Sequence, residues 1–308
     1  APFVKKTDLE NYRDNIFLKK ESLQVTGSFK WRGVLYSVMN AFEKLKDIEI
    51  TESNPYYLVT QSTGNHGIAL IYATQEVKKY YCKKYPNNIK KWKNVYACVF
   101  SNVHIPKCKI NKINKFLEKN NKCIFNYTSK NYSEALNKTE LFLQKYQGTY
   151  ISHGGKDIMT GYGSLAEEIM QQIPSNKSVT MITAIGAGGP IGLAEYFNYF
   201  KNFKLIVSQT ESFNAFVRSL KSKKKEYNYC NNSPGLSDGI AVDKPEDYAL
   251  NTAIKLNIEG VSVKNKDVEA LQKSTGLGGS TCIALAGLEK ITATSDIIII
   301  LDCEGNHK

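Results

Sequence analysis

Four isoleucines stand in a row near the end of the chain, Ile297, Ile298, Ile299 and Ile300, followed by Leu301. A strand of that composition has no polar side to turn to water. It must be covered on both faces, as helices cover the central strand of a parallel sheet. The rest of the chain fits such a sheet. Strand-like runs at 16–20, 57–60, 95–101, 123–127, 179–184 and 204–209 alternate with segments of helical character at 29–45, 67–85, 106–118, 133–146 and 158–172. In the first of these helices apolar residues recur at Val34, Leu35, Val38, Ala41, Phe42 and Leu45. Ser133 is expected to cap the fourth. A further helix follows a glycine turn and runs to about Tyr199, residues 221–234 read as a polar loop, and 281–290 as a small-residue helix. Alternation from end to end predicts an α/β fold: an open, mostly parallel, twisted sheet with helices on both faces. No repeat and no proline-rich linker divides the chain, so a second domain is expected as an insertion into the first.

Composition narrows the function classes. Apolar residues make up 42% of the 308 and charged residues 23%, as in ordinary globular proteins. No run of about 18 apolar residues exists to span a bilayer, and no signal-peptide core opens the chain. The net charge is +12, but the lysines are scattered among asparagines and tyrosines, as at 109–122 and 221–225. That pattern describes solvated faces, and no nucleic-acid partner is expected. None of the seven cysteines forms a CxxC pair, so structural zinc is not indicated. Their odd number favours reduced thiols and a cytoplasmic setting. Asn-x-Ser/Thr sequons, among them those at Asn126, Asn131, Asn137 and Asn231, are what an asparagine-rich chain yields by chance.

Four short segments carry chemistry. In Val25-Thr26-Gly27-Ser28-Phe29-Lys30-Trp31-Arg32-Gly33 a lysine sits where a loop enters a helix. Burial and the positive end of the helix dipole both disfavour its ammonium, which leaves an amine for imine chemistry. A surface lysine is the plain alternative. In Gln61-Ser62-Thr63-Gly64-Asn65-His66-Gly67 a strand turns into a helix. Backbone N–H groups there can hold a carboxylate, with hydroxyls from Ser62 and Thr63 adding bonds. The same residues would also serve as an ordinary capping turn. Gly186-Ala187-Gly188-Gly189 follows another strand and suits a phosphate. It lacks the Lys-Ser/Thr of a nucleoside-triphosphate loop and the spacing of a dinucleotide fingerprint. Asp302-Cys303-Glu304-Gly305-Asn306 is a polar turn at the carboxyl end of the isoleucine strand, the edge where α/β sheets place ligands.

In this order the four segments resemble the fold-type II (tryptophan synthase β-like) pyridoxal-phosphate enzymes, which include serine/threonine dehydratases, serine racemase, threonine synthase and cysteine synthase. The resemblance runs from Pro2 to Asn306 and is most specific at 26–33 and 62–67. It implies pyridoxal 5′-phosphate as cofactor, carried by Lys30 as a Schiff base, with Lys30 then acting as acid and base at Cα. It implies that Phe29 packs beside the cofactor ring and that Asn65 bonds its 3′ oxygen. Gly186, Ala187, Gly188 and Gly189 would hold its phosphate, and Cys303 would stand beside its pyridine nitrogen. A neutral partner there weakens the ring as an electron sink and favours elimination. Ser62, Thr63, Gly64, Asn65 and His66 would hold the carboxylate of an amino-acid substrate. The resemblance further implies a homodimer, a large cofactor-binding domain over 1–56 and 149–308, and a smaller inserted α/β domain over 57–148 that closes over the substrate.

The chain departs from the pattern in places. Ala187 stands where dehydratases usually have glycine, and Pro190 follows the loop. Thr63 replaces the second serine of serine racemases, which argues against racemisation. Glu211 matches a metal-binding glutamate of the family, but Val217 replaces its aspartate, so no metal is expected. Gly278-Gly279 replaces a common Glu-Pro, and residues 160–169 and 280–288 lean towards threonine synthase. The leading expectation is β-elimination from serine, threonine or a close analogue, an ammonia-lyase reaction. The alternatives are β- or γ-replacement, as in cysteine or threonine synthases, and a non-catalytic member that binds a ligand or partner.

Overall fold

A computed structural model of the chain describes residues 4–117, 122–200, 202–228 and 235–305. Glu118, Cys230, the Asn231 sequon and Asn306 lie outside the described residues, as does the end of the loop expected at 221–234. In chain order the elements are β1 (Leu9–Arg13), β2 (Ile16–Lys19), α1 (Lys30–Lys44), β3 (Tyr56–Gln61), α2 (Asn65–Lys84), α3 (Ile89–Lys93), β4 (Val95–Asn102), α4 (Lys107–Leu117), β5 (Ile124–Ser129), α5 (Tyr132–Lys145) and β6 (Gly148–Tyr150). They continue with α6 (Lys156–Gln172), β7 (Val179–Ala184), α7 (Ile191–Phe197), β8 (Phe203–Thr210), α8 (Ala215–Ser222), α9 (Asp247–Lys255), β9 (Glu259–Val263), α10 (Asn265–Thr275), α11 (Gly279–Leu288) and β10 (Ile297–Leu301). Single turns of 3-10 helix lie at Glu21–Leu23 and Glu211–Phe213, among others.

The fold is α/β, with two sheets. The first has the order β1-β2-β10-β7-β8-β9. Only its edge pair β1–β2 is antiparallel; the other pairs are parallel. The isoleucine strand β10 is interior, between β2 and β7, with Ile299 opposite both Phe17 and Met181. Ile299, Ile300 and Leu301 have no exposed surface, so side chains on both faces are covered. Ile298 and Ile300 share a cluster with Ile16, Leu18, Ile182, Ile206 and with Ala284 and Leu285 of α11. The small residues of that helix let it lie close to the sheet. Each such isoleucine contributes about 1.5–3 kcal/mol relative to exposure. The second sheet has the order β5-β4-β3-β6 and is parallel throughout.

By its internal contacts the chain divides into a first unit of residues 1–33 and 153–308 and a second of residues 34–152. The insertion expected at 57–148 lies within the second unit. Residues 34–56 count with it because the end of α1 shares its core: the Phe42 ring lies 5.0 Å from Tyr81 and 5.7 Å from Trp92.

Helix α5 is capped differently from expectation. Asn131, not Ser133, holds its start: Asn131 is extended and its Oδ1 accepts the N–H of Glu134 at 2.9 Å. Ser133 falls inside the first turn.

One buried polar network fixes the start of α1. Glu21 and Glu168 both accept from the Arg32 guanidinium, at 2.7 and 2.8 Å, and Lys19 donates to Glu168 at 2.5 Å. Thr7 joins through its N–H to Glu168 and its hydroxyl to Glu21. All five residues are buried. Such charges are tolerated only when paired and hydrogen-bonded, as these are. The network ties β2, the turn at Glu21–Leu23 and α6 to the helix turn that carries Lys30.

Candidate active site

Three turns gather at the carboxyl edge of the first sheet. Because β2, β10 and β7 are parallel neighbours in close register, the segments that follow them leave the sheet on the same side. After β10, the turn at 302–305 meets the lysine segment: the Phe29 N–H donates to the Cys303 carbonyl at 3.0 Å, and Ser28 bridges Glu304 in antiparallel fashion. After β7, residues 185–190 form the glycine turn. Thr183, at the end of β7, has its Oγ1 3.8 Å from Cys303 Sγ.

Lys30 is the first residue of α1 and is half-buried. Its Nζ donates to the Gly239 carbonyl at 3.2 Å and lies 5.6 Å from the centroid of the Phe29 ring. The next residue, Ile240, packs its backbone on the glycine turn. A Cβ added at Gly186 would lie 3.2 Å from Ile240 Cα and 3.3 Å from its carbonyl oxygen. Gly239 and Ile240 thus join the lysine amine to the start of the turn. Tyr162 of α6 makes a second connection. It stacks on Phe29 with centroids 4.9 Å apart, and its ring would meet a Cβ at Gly33 (2.8 Å) or at Gly189 (2.9 Å). Burial raises the Tyr162 phenol well above its ordinary value, so it stays neutral.

The glycine turn is held open from behind. Gly188 has φ +135°, a backbone that side chains rarely adopt, and a Cβ there would sit 2.2 Å from Ala249 Cβ. Ala187 has no such φ and tolerates its methyl group, and its carbonyl accepts the Glu246 N–H at 2.8 Å. Gly154 also packs against Ala187 and Ala249. The N–H groups of Gly186, Ala187, Gly188 and Gly189 donate to no other group among the described residues. Four successive amides without protein acceptors are donors for an anion such as a phosphate.

Cys303 is buried, and burial pushes its thiol up to about 12, against the opposing effects of the Thr183 hydroxyl and the Lys30 charge. It is therefore a neutral thiol at physiological pH. Glu304, which the sequence placed in this turn without a role, is also buried and accepts the Ser280 hydroxyl at 3.0 Å. Its side chain explains Gly278: a Cβ at that position would lie 3.2 Å from Glu304 Cγ and 2.5 Å from the Glu304 carbonyl oxygen. Glu304 Oε1 would also lie 3.0 Å from a Cβ at Gly239.

The second unit builds the Ser62–His66 turn at the carboxyl end of β3. Ser62 Oγ accepts the N–H groups of Gly64 (3.1 Å) and Gly67 (3.0 Å), so it staples the turn from within. Ser62, Gly64, Asn65 and His66 are buried and Thr63 is half-buried. His66 Nε2 lies 3.2 Å from the Ile151 carbonyl, the geometry of the tautomer with hydrogen on Nε2. Since β4 runs parallel to β3, with Gln61 opposite Phe100, the connection into α4 leaves the same edge. It brings Lys109 to Gly64: a Cβ there would lie 2.3 Å from Lys109 Cδ and 3.3 Å from its Nζ. Gly239, Tyr162, Lys109 and the role of Glu304 had no signal in the sequence, because each acts through a tertiary approach.

A lysine amine, a neutral thiol and a turn of unengaged amides thus lie within one unit. The sequence profile of the family described as pyridoxal-phosphate dependent enzymes matches residues 1–302. The chain belongs to this family, and pyridoxal phosphate is its cofactor. It is 28% identical to L-threonine ammonia-lyase of Thermotoga maritima over 262 residues, which cover 82% of this chain and 56% of that protein. It is 26% identical to serine racemase of Rattus norvegicus over 179 residues, covering 58% and 45% respectively. The chain thus spans about half the length of these curated relatives. In fold it is similar to threonine deaminase isoform 2 of Solanum lycopersicum, with a TM-score of 0.74 at 20% identity, covering 99% of this chain and 80% of that one. It is similar also to maize serine racemase, with a TM-score of 0.76 at 17% identity, covering 99% and 89%.

Proposed function

We propose that the protein is a pyridoxal-phosphate-dependent ammonia-lyase that eliminates water from serine, threonine or a close hydroxy amino acid; the enamine released takes up water, giving a 2-oxo acid and ammonia. The observation that carries this reading is the joining of Lys30 to the glycine turn through Gly239 and Ile240. The likeness to L-threonine ammonia-lyase supports the choice of substrate.

When bound, the cofactor supplies an electron sink conjugated with the substrate's Cα. The amides of residues 186–189 hold its phosphate, and Gly188 keeps the space that a side chain would fill. Lys30 would tether it, and its Nζ would take the proton from Cα. The network at Arg32 fixes the helix turn from which that amine acts. Cys303 would offer the pyridine nitrogen a neutral partner, which would favour loss of the β-hydroxyl. Phe29 walls the site, and Asn65 bonds the 3′ oxygen. The turn Ser62–His66 binds and orients the substrate carboxylate. Glycines at 154 and 278 are explained by packing against Ala187 and Glu304, so they give no reason to regard the chain as non-catalytic. A homodimer and a cytoplasmic setting belong to the same proposal. Six free cysteines among the described residues suit a reducing compartment.

The test is direct. Reconstituted protein should show the visible absorbance of a lysine-bound cofactor and should release pyruvate from serine or 2-oxobutyrate from threonine, with added sulfide leaving the keto-acid yield unchanged. Lys30→Ala should abolish both the band and the product. A bound cofactor with no keto acid from either substrate would reject the elimination reading.

A further inference from the structure

We infer that Lys109 is the cation of the carboxylate turn, binding an amino-acid substrate by its negative charge. This rests on the reading that the Ser62–His66 turn holds the substrate carboxylate, and it adds a residue to that turn and a charge rule to its selectivity.

Lysine at a protein surface normally lays its stem on apolar groups and sends its ammonium out to water. On α4 the other lysines keep to this habit: Lys107 and Lys115 are exposed and Lys112 is half-buried. Lys109 does not, with 2% of its surface exposed. Its stem crosses Gly64, occupying the space a side chain would need there, with Cδ 2.3 Å, Cε 3.1 Å and Nζ 3.3 Å from the position of the missing Cβ. The glycine is therefore required by the lysine, and the ammonium is delivered to the middle of the turn. The sheet makes this placement a consequence of topology, since β3 and β4 are parallel neighbours and the segments that follow them leave one edge together. Ser62 is already engaged by the N–H groups of Gly64 and Gly67, so the turn's first hydroxyl oxygen serves the turn itself. A carboxylate held beside Gly64 would lie within reach of the Lys109 amine, and a charge-assisted hydrogen bond between them would be about twice as strong as a neutral one. The ligand class that follows is an amino acid with a free α-carboxylate. Its amide or ester would be a poor ligand.

The experiment uses the cofactor-loaded protein and reads half-saturation from the change in cofactor absorbance. The probes are L-serine and L-serinamide, which differ in the charge at the carboxyl position. For Lys109→Gln we expect the half-saturation for L-serine to rise at least about tenfold, with that for L-serinamide little changed. Turnover at saturating L-serine should fall less than affinity does. Lys109→Arg, which keeps the charge, should restore most of the preference for the carboxylate, and it also serves if the neutral variant folds poorly. Equal weakening of both probes would make Lys109 a packing residue and overturn the inference, as would unchanged L-serine binding. Thr63→Val separates the two readings. If it weakens L-serine while Lys109→Gln does not, the turn binds the carboxylate without the lysine. If neither variant affects L-serine, the assignment of the turn itself has failed.

Discussion

At the scale of single residues, the cofactor half of the site depends on groups that cannot be exchanged for near relatives. Gly188 is one. Alanine there would need a strained backbone and would meet Ala249 at 2.2 Å. Gly188→Ala should cost on the order of 1–3 kcal/mol of stability from the backbone alone, and it should lower the affinity for pyridoxal phosphate, as measured by retention of the absorbance band on dilution. Ala187 is the contrasting case. The sequence marked it as a departure from glycine, but its φ is not positive and the methyl group is tolerated. Cys303 gives a chemical prediction. With its thiol pushed up to about 12 by burial, it should resist iodoacetamide at pH 8 in the folded protein, whereas exposed Cys108 should be labelled. Peptide mass spectrometry reads both, and rapid labelling of Cys303 would mean that the thiol is neither buried nor neutral. The loop-to-helix lysine, the glycine turn and the turn at Ser62–His66 were legible as local arrangements, whatever each binds. Gly239 and Lys109 were not, since a carbonyl beneath an amine and a stem across a glycine arise only when distant segments meet.

Among the elements, α1 matters most, and its first turn is anchored by charge as well as by the packing of Trp31 and of the adjoining Phe29. Arg32 is shared between Glu21 and Glu168, and Lys19 completes the set. Burial pushes the Glu168 carboxyl upward. The hydrogen bonds from Lys19 and the Thr7 N–H, with the Arg32 charge, outweigh that and hold it below its ordinary value of 4.5. A carboxyl whose value is depressed by folding contributes stability that is present above its unfolded value and is lost as pH falls through the folded one. The loss should begin below about pH 4.5. Glu168→Gln removes one partner of buried cations and should cost about 3 kcal/mol or more at neutral pH. It should also flatten the acid limb of a plot of Tm against pH. An unchanged acid limb would place the acid sensitivity elsewhere. The regular elements that the sequence displayed are those with a strong apolar period or a continuous apolar run. Strand β9 escaped because it is an edge strand with only Val263 buried, and α10 because Val268 is its only buried residue.

For the molecule as a whole, the division at Gly33 and Val34 puts one of the two tryptophans in each unit. Trp31 follows Lys30 in the first unit, and Trp92 lies among Phe42, Tyr81 and Tyr85 in the second. Both are 1% exposed, so each should change its fluorescence when its own surroundings open. The lysine, the glycine turn and Cys303 all belong to the first unit, and a ligand stabilises the structure that binds it. At one hundred times the dissociation constant the gain is about 2.7 kcal/mol. In Trp92→Phe, where Trp31 alone reports, pyridoxal phosphate should raise the unfolding free energy by about that amount, shift the denaturation midpoint upward accordingly, and quench the fluorescence of the neighbour of Lys30. In Trp31→Phe, where Trp92 alone reports, the midpoint should move less. Equal shifts in both variants would mean that the two units unfold as one cooperative body. A larger shift at Trp92 would move the main cofactor contacts out of the first unit and would contradict the assignment of the phosphate to residues 186–189.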